Sequence, residues 1–374
     1  MDQRPPRLAS LDVLRGLTIV GMIVVNSASY LHYVSGYAQF AGLEHAAWRG
    51  FTLADAVFPA FVFMTGASIP LALAARGAPE QGIGGLDGPT LRRLLVRSGR
   101  LFLLGLILSN LYWMATPESV PFRPMGVLQR LALCFLAAAV LYKTLGPRAR
   151  LILAVAILAL YWPLTLLPFP DGATDLLKPG ANFVGWFDRL VLGGHVYVPG
   201  PLGYDPEGLL STLPAVAQAL LGVAAGEWLM APQSRNGRGA LGLLIAGTAC
   251  IAGGLVWGLA FPISKELWTS SFVLLSTGVA LVLLAGLHQA LDVEGRRLPG
   301  SGFLTDFGIN AIFAYSLHML ASIMLTAHLL KIPYVWATPF VGDRAAALIP
   351  VAIFVGLIWM VVAYMRKRGW VVKV

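Results

Sequence analysis

The sequence predicts an all-α, polytopic integral membrane protein, and three observations carry that reading. Of its 374 residues, 57% are hydrophobic and only 12% are charged, against about 25% charged in an ordinary globular domain. Mean hydropathy is +0.74. Long apolar runs recur from Leu11 to Met365, with no polar block between them long enough to fold separately. These runs approach the roughly 20 residues that a helix needs to cross hydrocarbon, and they are too uniformly apolar for the alternating strands of a membrane barrel. One transmembrane domain over residues 1–374 is therefore expected.

About ten spans fit the runs: 11–31, 52–75, 93–113, 125–144, 149–168, 209–231, 239–261, 268–288, 303–330 and 344–366. Alternate loops differ in cation content. With the N-terminus inside, the inner segments hold Arg4 and Arg7; Arg76, Arg92, Arg93, Arg97 and Arg100; Lys143, Arg148 and Arg150; Arg235 and Arg238; Arg296 and Arg297; and Arg366, Lys367, Arg368 and Lys373. The outer segments hold only scattered cations: Arg49, Arg123, Lys178, Arg189, Lys265, Lys331 and Arg344. The positive-inside rule then puts both termini in the cytoplasm and an extracytoplasmic loop at about 169–208, which carries Trp186, Asp188 and His195. Membrane topology also explains the net charge of +9 better than nucleic acid does, because the cations fall in short clusters between apolar runs. Cys134 and Cys250 both lie inside such runs, so neither a disulfide framework nor a metal site is expected.

Function is sought where polar groups enter the membrane, since a charge at mid-bilayer costs at least about 2.5 to 3.5 kcal/mol. The first span carries Asp12, Arg15 and Asn26. Asp12 and Arg15, three residues apart, share a helix face and read as an interfacial ion pair, while Asn26 lies about 21 Å further along nearly the same face. His45 precedes the second span and Asp55 sits one turn inside it, both at the outer side. A histidine titrates near neutrality and suits removal of a proton from an attacking amine or hydroxyl; a nearby carboxylate would fix its tautomer. Taken alone this pair is a weak signal.

Arg130 lies too far into the fourth span for topology to explain it and needs a partner, for which Asp55 is one candidate. Asp205-Pro206-Glu207-Gly208 immediately precedes the sixth span, where Asp205 suits an N-cap and Pro206 the first helical position. Lys265 and Trp268 face outward, the Trp by default an interfacial anchor. Asn310, Tyr315 and His318 add polar groups to the ninth span.

Seven segments, in order along the chain, then give a specific resemblance: DVLRG (12–16), VVN (24–26), HAAWRGFTLADAVFPAFVF (45–63), GVLQR (126–130), DPEGLLST (205–212), PISKELWTSSFVLL (262–275) and GINAIFAYSLH (308–318). Together they resemble the signature segments of the heparan-alpha-glucosaminide N-acetyltransferase family and its bacterial relatives. The resemblance implies transfer of an acetyl group from cytoplasmic acetyl-CoA to a glucosamine-type amino sugar on the far side of a cytoplasmic membrane, by a protein that forms a homodimer. It makes His45 the active-site histidine, as general base or acetyl carrier, with Asn26 and Asp55 in support. Trp48-Arg49 stands where the family has Trp-Asn, so no role is carried to position 49.

Around that core, Asp205, Glu207, Lys265, Trp268, Asn310 and His318 are candidates for binding the acceptor, and Arg15, Arg92, Arg93, Arg97, Arg100 and Arg130 for binding CoA. An extended pantetheine arm spans only roughly half of the hydrocarbon thickness, so the donor must thread deep into the protein. Walker, dinucleotide, HExxH and GxSxG signatures are missing from the sequence. Two other readings stay open: an amino-sugar transporter, against which the lack of a visible internal repeat counts, and an O-acyltransferase acting on a surface glycan.

Overall fold

The computed structural model describes residues 8–74, 85–322, 325 and 328–372. Arg4, Arg7, Arg76 and Lys373, counted above for orientation, lie outside the described residues. The chain is almost entirely helical, and among the described residues extended pairing is confined to two isolated bridges, Phe169 with Gly172 and Val198 with Tyr204. The helices are α1 (Ala9–Ser35), α2 (Leu53–Ala74), α3 (Gly88–Ser109), α4 (Leu111–Ala115), α5 (Val127–Thr144), α6 (Pro147–Thr165) and α7 (Phe183–Leu192). They continue with α8 (Thr212–Met230), α9 (Gly237–Trp257), α10 (Ser270–Leu287), α11 (Ser301–Ile309), α12 (Ala311–Ala321) and α13 (His328–Lys367). Eight described helices are long and apolar enough to cross a bilayer. The chain is a polytopic helical membrane protein.

The difference from ten expected spans has local causes. Helix α3 has the length but carries four arginines, and it starts at 88 rather than 93 because Asp87 caps it, accepting from Thr90 N at 2.9 Å. The expected span 303–330 is broken after Ile309. There Asn310 turns its amide to the C-terminal tail, donating to Trp370 O (3.1 Å) and accepting from Val372 N (3.0 Å). The expected span 344–366 is the second part of α13, which begins at His328 and changes direction at Gly342, where φ is 77°. The long loop at about 169–208 is not bare coil, since it contains α7, capped by Asn182 through Gly185 N at 2.9 Å.

The structure divides into two compact units. The first comprises Ala47–Phe51 and Val62–Gly286; the second comprises Leu8–Ala46, Thr52–Phe61 and Leu287–Val374. In the first unit α5 packs against α3 and α8, and α6 against α8. The face that α3 buries is Leu94, Ser98, Leu101, Gly105 and Leu108, the repeat of a single helical stripe. Its one polar member is satisfied, because Ser98 Oγ donates to Ala132 O at 2.9 Å.

In the second unit α1 packs along α11. Small residues make that approach close: a Cβ on Gly308 would lie 1.9 Å from Asp12 O, and one on Gly16 would lie 1.8 Å from Leu304 O. The N-terminus of α1 is capped from a distance in sequence. Leu8 offers no side-chain cap, and Asp292, in the wide helical turn His288–Val293, accepts from Ala9 N at 2.8 Å while His288 Nδ1 lies 3.0 Å from its other oxygen. Asp12 and Arg15 do form the predicted ion pair, at 3.1 Å.

The α1–α11 contact yields a controlled test. Gly308→Ala forces two backbones apart and should destabilise the protein by about 1 to 3 kcal/mol or more. Gly302→Ala, on the same helix with nothing within 4 Å of its Cβ, should leave stability unchanged or slightly raised. Melting curves of both variants in one detergent check this; equal melting temperatures would remove the close-packing account.

Candidate active site

His45 follows a short helical turn, Ala41–Leu43, that leads away from α1, and it reaches the first turn of α2. Its Nδ1 lies 2.8 Å from Asp55 Oδ1. The spacing Thr52-x-x-Asp55 places a carboxylate where it turns back on the start of its own helix, as the acidic residue of a capping box does. Asp55 Oδ2 accepts from Thr52 N (3.0 Å) and Ala46 N (3.1 Å), and the Thr52 hydroxyl stands 3.0 Å from it and 2.8 Å from Glu44 O. Asp55 has no exposed surface, whereas 36% of the His45 side chain is exposed.

This arrangement decides the chemistry of the ring. A carboxylate so supplied with donors is an acceptor only, so Nδ1 carries the hydrogen and, in the neutral ring, Nε2 keeps the lone pair. His45 is thus oriented from behind by a buried anion and open in front. Asn26 is half-buried and its side chain makes no hydrogen bond among the described residues, so the structure joins two of the three expected residues by direct bonds. Thr52 completes the support, and its spacing from Asp55 is the sequence signal that would have found it.

A second polar cluster lies in the first unit. Arg123 Nε donates to Asp205 Oδ2 at 2.9 Å and Nη2 to Asp205 Oδ1 at 2.6 Å, a two-pronged pair. Nη2 also reaches Glu207 Oε2, and the guanidinium stacks on Tyr197 at 4.5 Å. Asp205 additionally accepts from Tyr197 N and Glu207 N. It therefore does not cap the sixth span, contrary to expectation: α8 begins seven positions later, at Thr212. Burial opposes ionisation of Glu207, but Arg123, Arg130 and Lys265 outweigh it and hold its carboxyl below the usual range. Burial likewise works against the charge on Arg123, and Glu207 and Asp205 more than restore it. Arg123 entered the sequence reading only as a loop cation; a partner 82 residues away leaves no local signature.

Arg130 has no exposed surface. Its Nη2 donates to Gly208 O at 3.2 Å and to Ser211 Oγ, and its guanidinium lies 4.9 Å from the Trp268 ring. Neutral acceptors on the turn before α8 therefore replace Asp55 as its hydrogen-bonding partners. Trp268 is no interfacial anchor either. It is fully buried, donates to Gln218 Oε1 at 3.1 Å and, among the described non-glycine residues, alone has positive φ, 52°. Gln218 in turn donates to Ser276 and Thr277. Lys265 is half-buried and acts on Glu207 by charge alone.

The remaining candidates sort by place. In the second unit, Asn310 is occupied by the C-terminal tail, His318 is buried between Tyr315 and Phe354, and Arg15 bonds Asp12 and Gly308 O. In the first unit, Arg93 bonds Thr90 and Pro89 O at the start of α3, and Arg97 lies 4.5 Å over the Phe135 ring on α5. Arg92 and Arg100 are exposed.

Asp188 of α7 locks the turn that serves both Arg123 and Arg130. Its carboxylate accepts from Leu209 N at 2.9 Å and occupies the space of a side chain at position 208, where a Cβ would fall 1.8 Å from Oδ2. Burial pushes its carboxyl up to about 7, well above the unfolded value near 3.8. A raised carboxyl favours the folded state while protonated, so its contribution is complete below about pH 4 and is lost as pH rises through about 7. Asp188→Asn should remove that dependence. Wild type should lose melting temperature relative to the variant steadily from pH 4 to 7; a constant difference would show that Asp188 does not titrate there.

The family model described as heparan-alpha-glucosaminide N-acetyltransferase, catalytic, matches residues 7–253, an interval that holds the His45–Asp55 pair, Arg123, Arg130, Asp188, Asp205 and Glu207. The heparan-alpha-glucosaminide N-acetyltransferase of Homo sapiens is 31% identical over 84% of this chain and 53% of that protein. The protein of the same name from Mus musculus is 30% identical over 83% and 53%. The chain thus spans about half the length of the curated relatives it matches. It belongs to the heparan-alpha-glucosaminide N-acetyltransferase family.

Proposed function

We propose that the chain transfers an acetyl group from acetyl-CoA to the amino group of a glucosamine-type acceptor, with His45 as general base. The observation that carries this is the oriented imidazole: Nδ1 held at 2.8 Å by a fully buried carboxylate, with the side chain part-exposed. The acceptor amine attacks the thioester carbonyl carbon, and its proton passes to His45 Nε2 as the N–C bond forms. The C–S bond then breaks, and the departing thiolate takes up a proton to leave as CoA thiol. Asp55 stabilises the imidazolium that forms between these steps. Asn26, on the preceding helix, is assigned a supporting role on family grounds.

The two acids are assigned by which of their atoms are already committed. All four hydrogen bonds that Asp205 accepts come from the protein. Glu207 is engaged through Oε2, which leaves Oε1 to accept from a sugar hydroxyl or ammonium. Glu207 is therefore the acceptor-binding acid, and Asp205 the residue that fixes Arg123 beside it. For the phosphates of CoA we assign Arg93 and Arg97, whose planar guanidinium groups pair with phosphate oxygens. The cation-rich loops support a cytoplasmic donor, an extracytoplasmic acceptor and residence in the cytoplasmic membrane.

The test is an assay of the full chain in detergent or nanodiscs, with labelled acetyl-CoA and glucosamine or a glucosamine-terminated oligosaccharide. Wild type should form the N-acetylated product. His45→Ala should lower kcat by about 10²- to 10⁴-fold and, because it leaves the buried Asp55 one hydrogen bond short, should also lower the melting temperature; unchanged kcat in the folded variant would remove His45 from the chemistry. Glu207→Gln should raise the acceptor KM more than it lowers kcat. Labelled acetyl retained on His45 after quenching without acceptor would replace direct attack by a two-step route. Uptake of the sugar into liposomes without acetylation would overturn the proposal.

A further inference from the structure

Helix α3 presents an outward face that the proposed chemistry does not use. On a helical projection of 3.6 residues per turn, the side opposite its buried stripe is Arg92, Val96, Arg100, Leu103 and Ile107. All five are exposed, Leu103 and Ile107 by 60% and 53%. Gly99, on the same side, has nothing within 4 Å of its Cβ position. The side chains of Arg92 and Arg100 make no hydrogen bond or ion pair among the described residues, whereas Arg93 bonds Thr90 and Pro89 O and Arg97 lies over the Phe135 ring. The helix contains no acid. Its outward face is therefore cationic in the first half and apolar in the second.

Neither water nor protein explains this gradient. A face turned to water would stay polar along its length, and one turned to protein would cover Leu103 and Ile107. A lipid leaflet does have this order, headgroups and then tails. The Cα of Arg100 stands about 12 Å along the axis from that of Arg92, at 1.5 Å per residue. Helical side chains lean toward the N-terminus, so both guanidinium groups extend toward the same headgroup layer. Positive charge on a face that carries no acid of its own selects a headgroup of net negative charge, and guanidinium matches the geometry of a phosphodiester.

We infer that the Arg92–Arg100 face of α3 binds an anionic phospholipid, its phosphate held by the two arginines and its tails lying along Leu103 and Ile107. The inference is independent of the proposed acetyl transfer. Full-length protein is compared by native mass spectrometry and thermal shift with added phosphatidylglycerol and with phosphatidylcholine of the same acyl chains. Phosphatidylglycerol should stay bound to wild type and raise its melting temperature by several degrees, and phosphatidylcholine should do neither. The double variant Arg92→Gln/Arg100→Gln should retain phosphatidylglycerol about tenfold less, and Arg93→Gln/Arg97→Gln should retain it as wild type does.

Equal retention by wild type and the first double variant would overturn the inference. So would loss of CoA affinity in that variant with lipid retention unchanged, which would give the face to a nucleotide. A change of oligomeric state in the variant, with no lipid effect, would give it to a second copy of the chain.

Discussion

A polar group withdrawn from water must be satisfied by the protein around it, and in this chain the buried carboxylates meet that demand most fully. Asp55 has no exposed surface, and its hydrogen bonds come from His45, Ala46 and Thr52. Asp205 is met in the same way by Arg123, Tyr197 and Glu207. An unpaired carboxylate at such a place would cost several kcal/mol or take up a proton. The surrounding backbone is shaped by that requirement: the turn before α2 and the turn before α8 both fold so that main-chain N–H groups point at an acid. The proposed chemistry depends on it as well, because the position of His45 is set by the anion behind it.

Much of the architecture was legible because it is a bulk property. Length, apolarity and the lack of period-2 alternation in the long runs specify helices in a membrane regardless of detail. Interruptions were not legible where a partner distant in sequence causes them. Nothing near Ile309 announces a break, since the break depends on a tail about sixty residues later that uses both ends of the Asn310 amide. The start of α8 was misplaced for a related reason. Asp205-Pro206 has the local look of a helix start, but Arg123 binds the carboxylate and the helix waits until Thr212.

The site divides along the same line. His45 and Asp55 are ten residues apart, and the capping-box spacing from Thr52 constrains the acid, so a local reading brings the pair together. Trp268 defeats such a reading. A tryptophan beside Lys265 at the edge of an apolar run fits an interfacial anchor, yet its indole N–H goes to Gln218 and its face to Arg130. A buried tryptophan with positive φ is costly, and these contacts are what hold it.

The two arginines beside the Asp205–Glu207 turn divide the work unequally. Both lie in the field of the two acids, but of the two only Arg123 hydrogen-bonds them, and Arg130 makes its own bonds to Gly208 O and Ser211. The acids thus act on Arg130 by charge from a distance without hydrogen-bonding it, and Trp268 supplies an aromatic face in place of a second carboxylate. Asp188, wedged against Gly208, keeps that turn in register for both arginines. Enlarging residue 208 would drive a side chain into Asp188, and because Gly208 O is also an acceptor for Arg130, the steric demand of the acid and the hydrogen bonding of the arginine meet at one glycine.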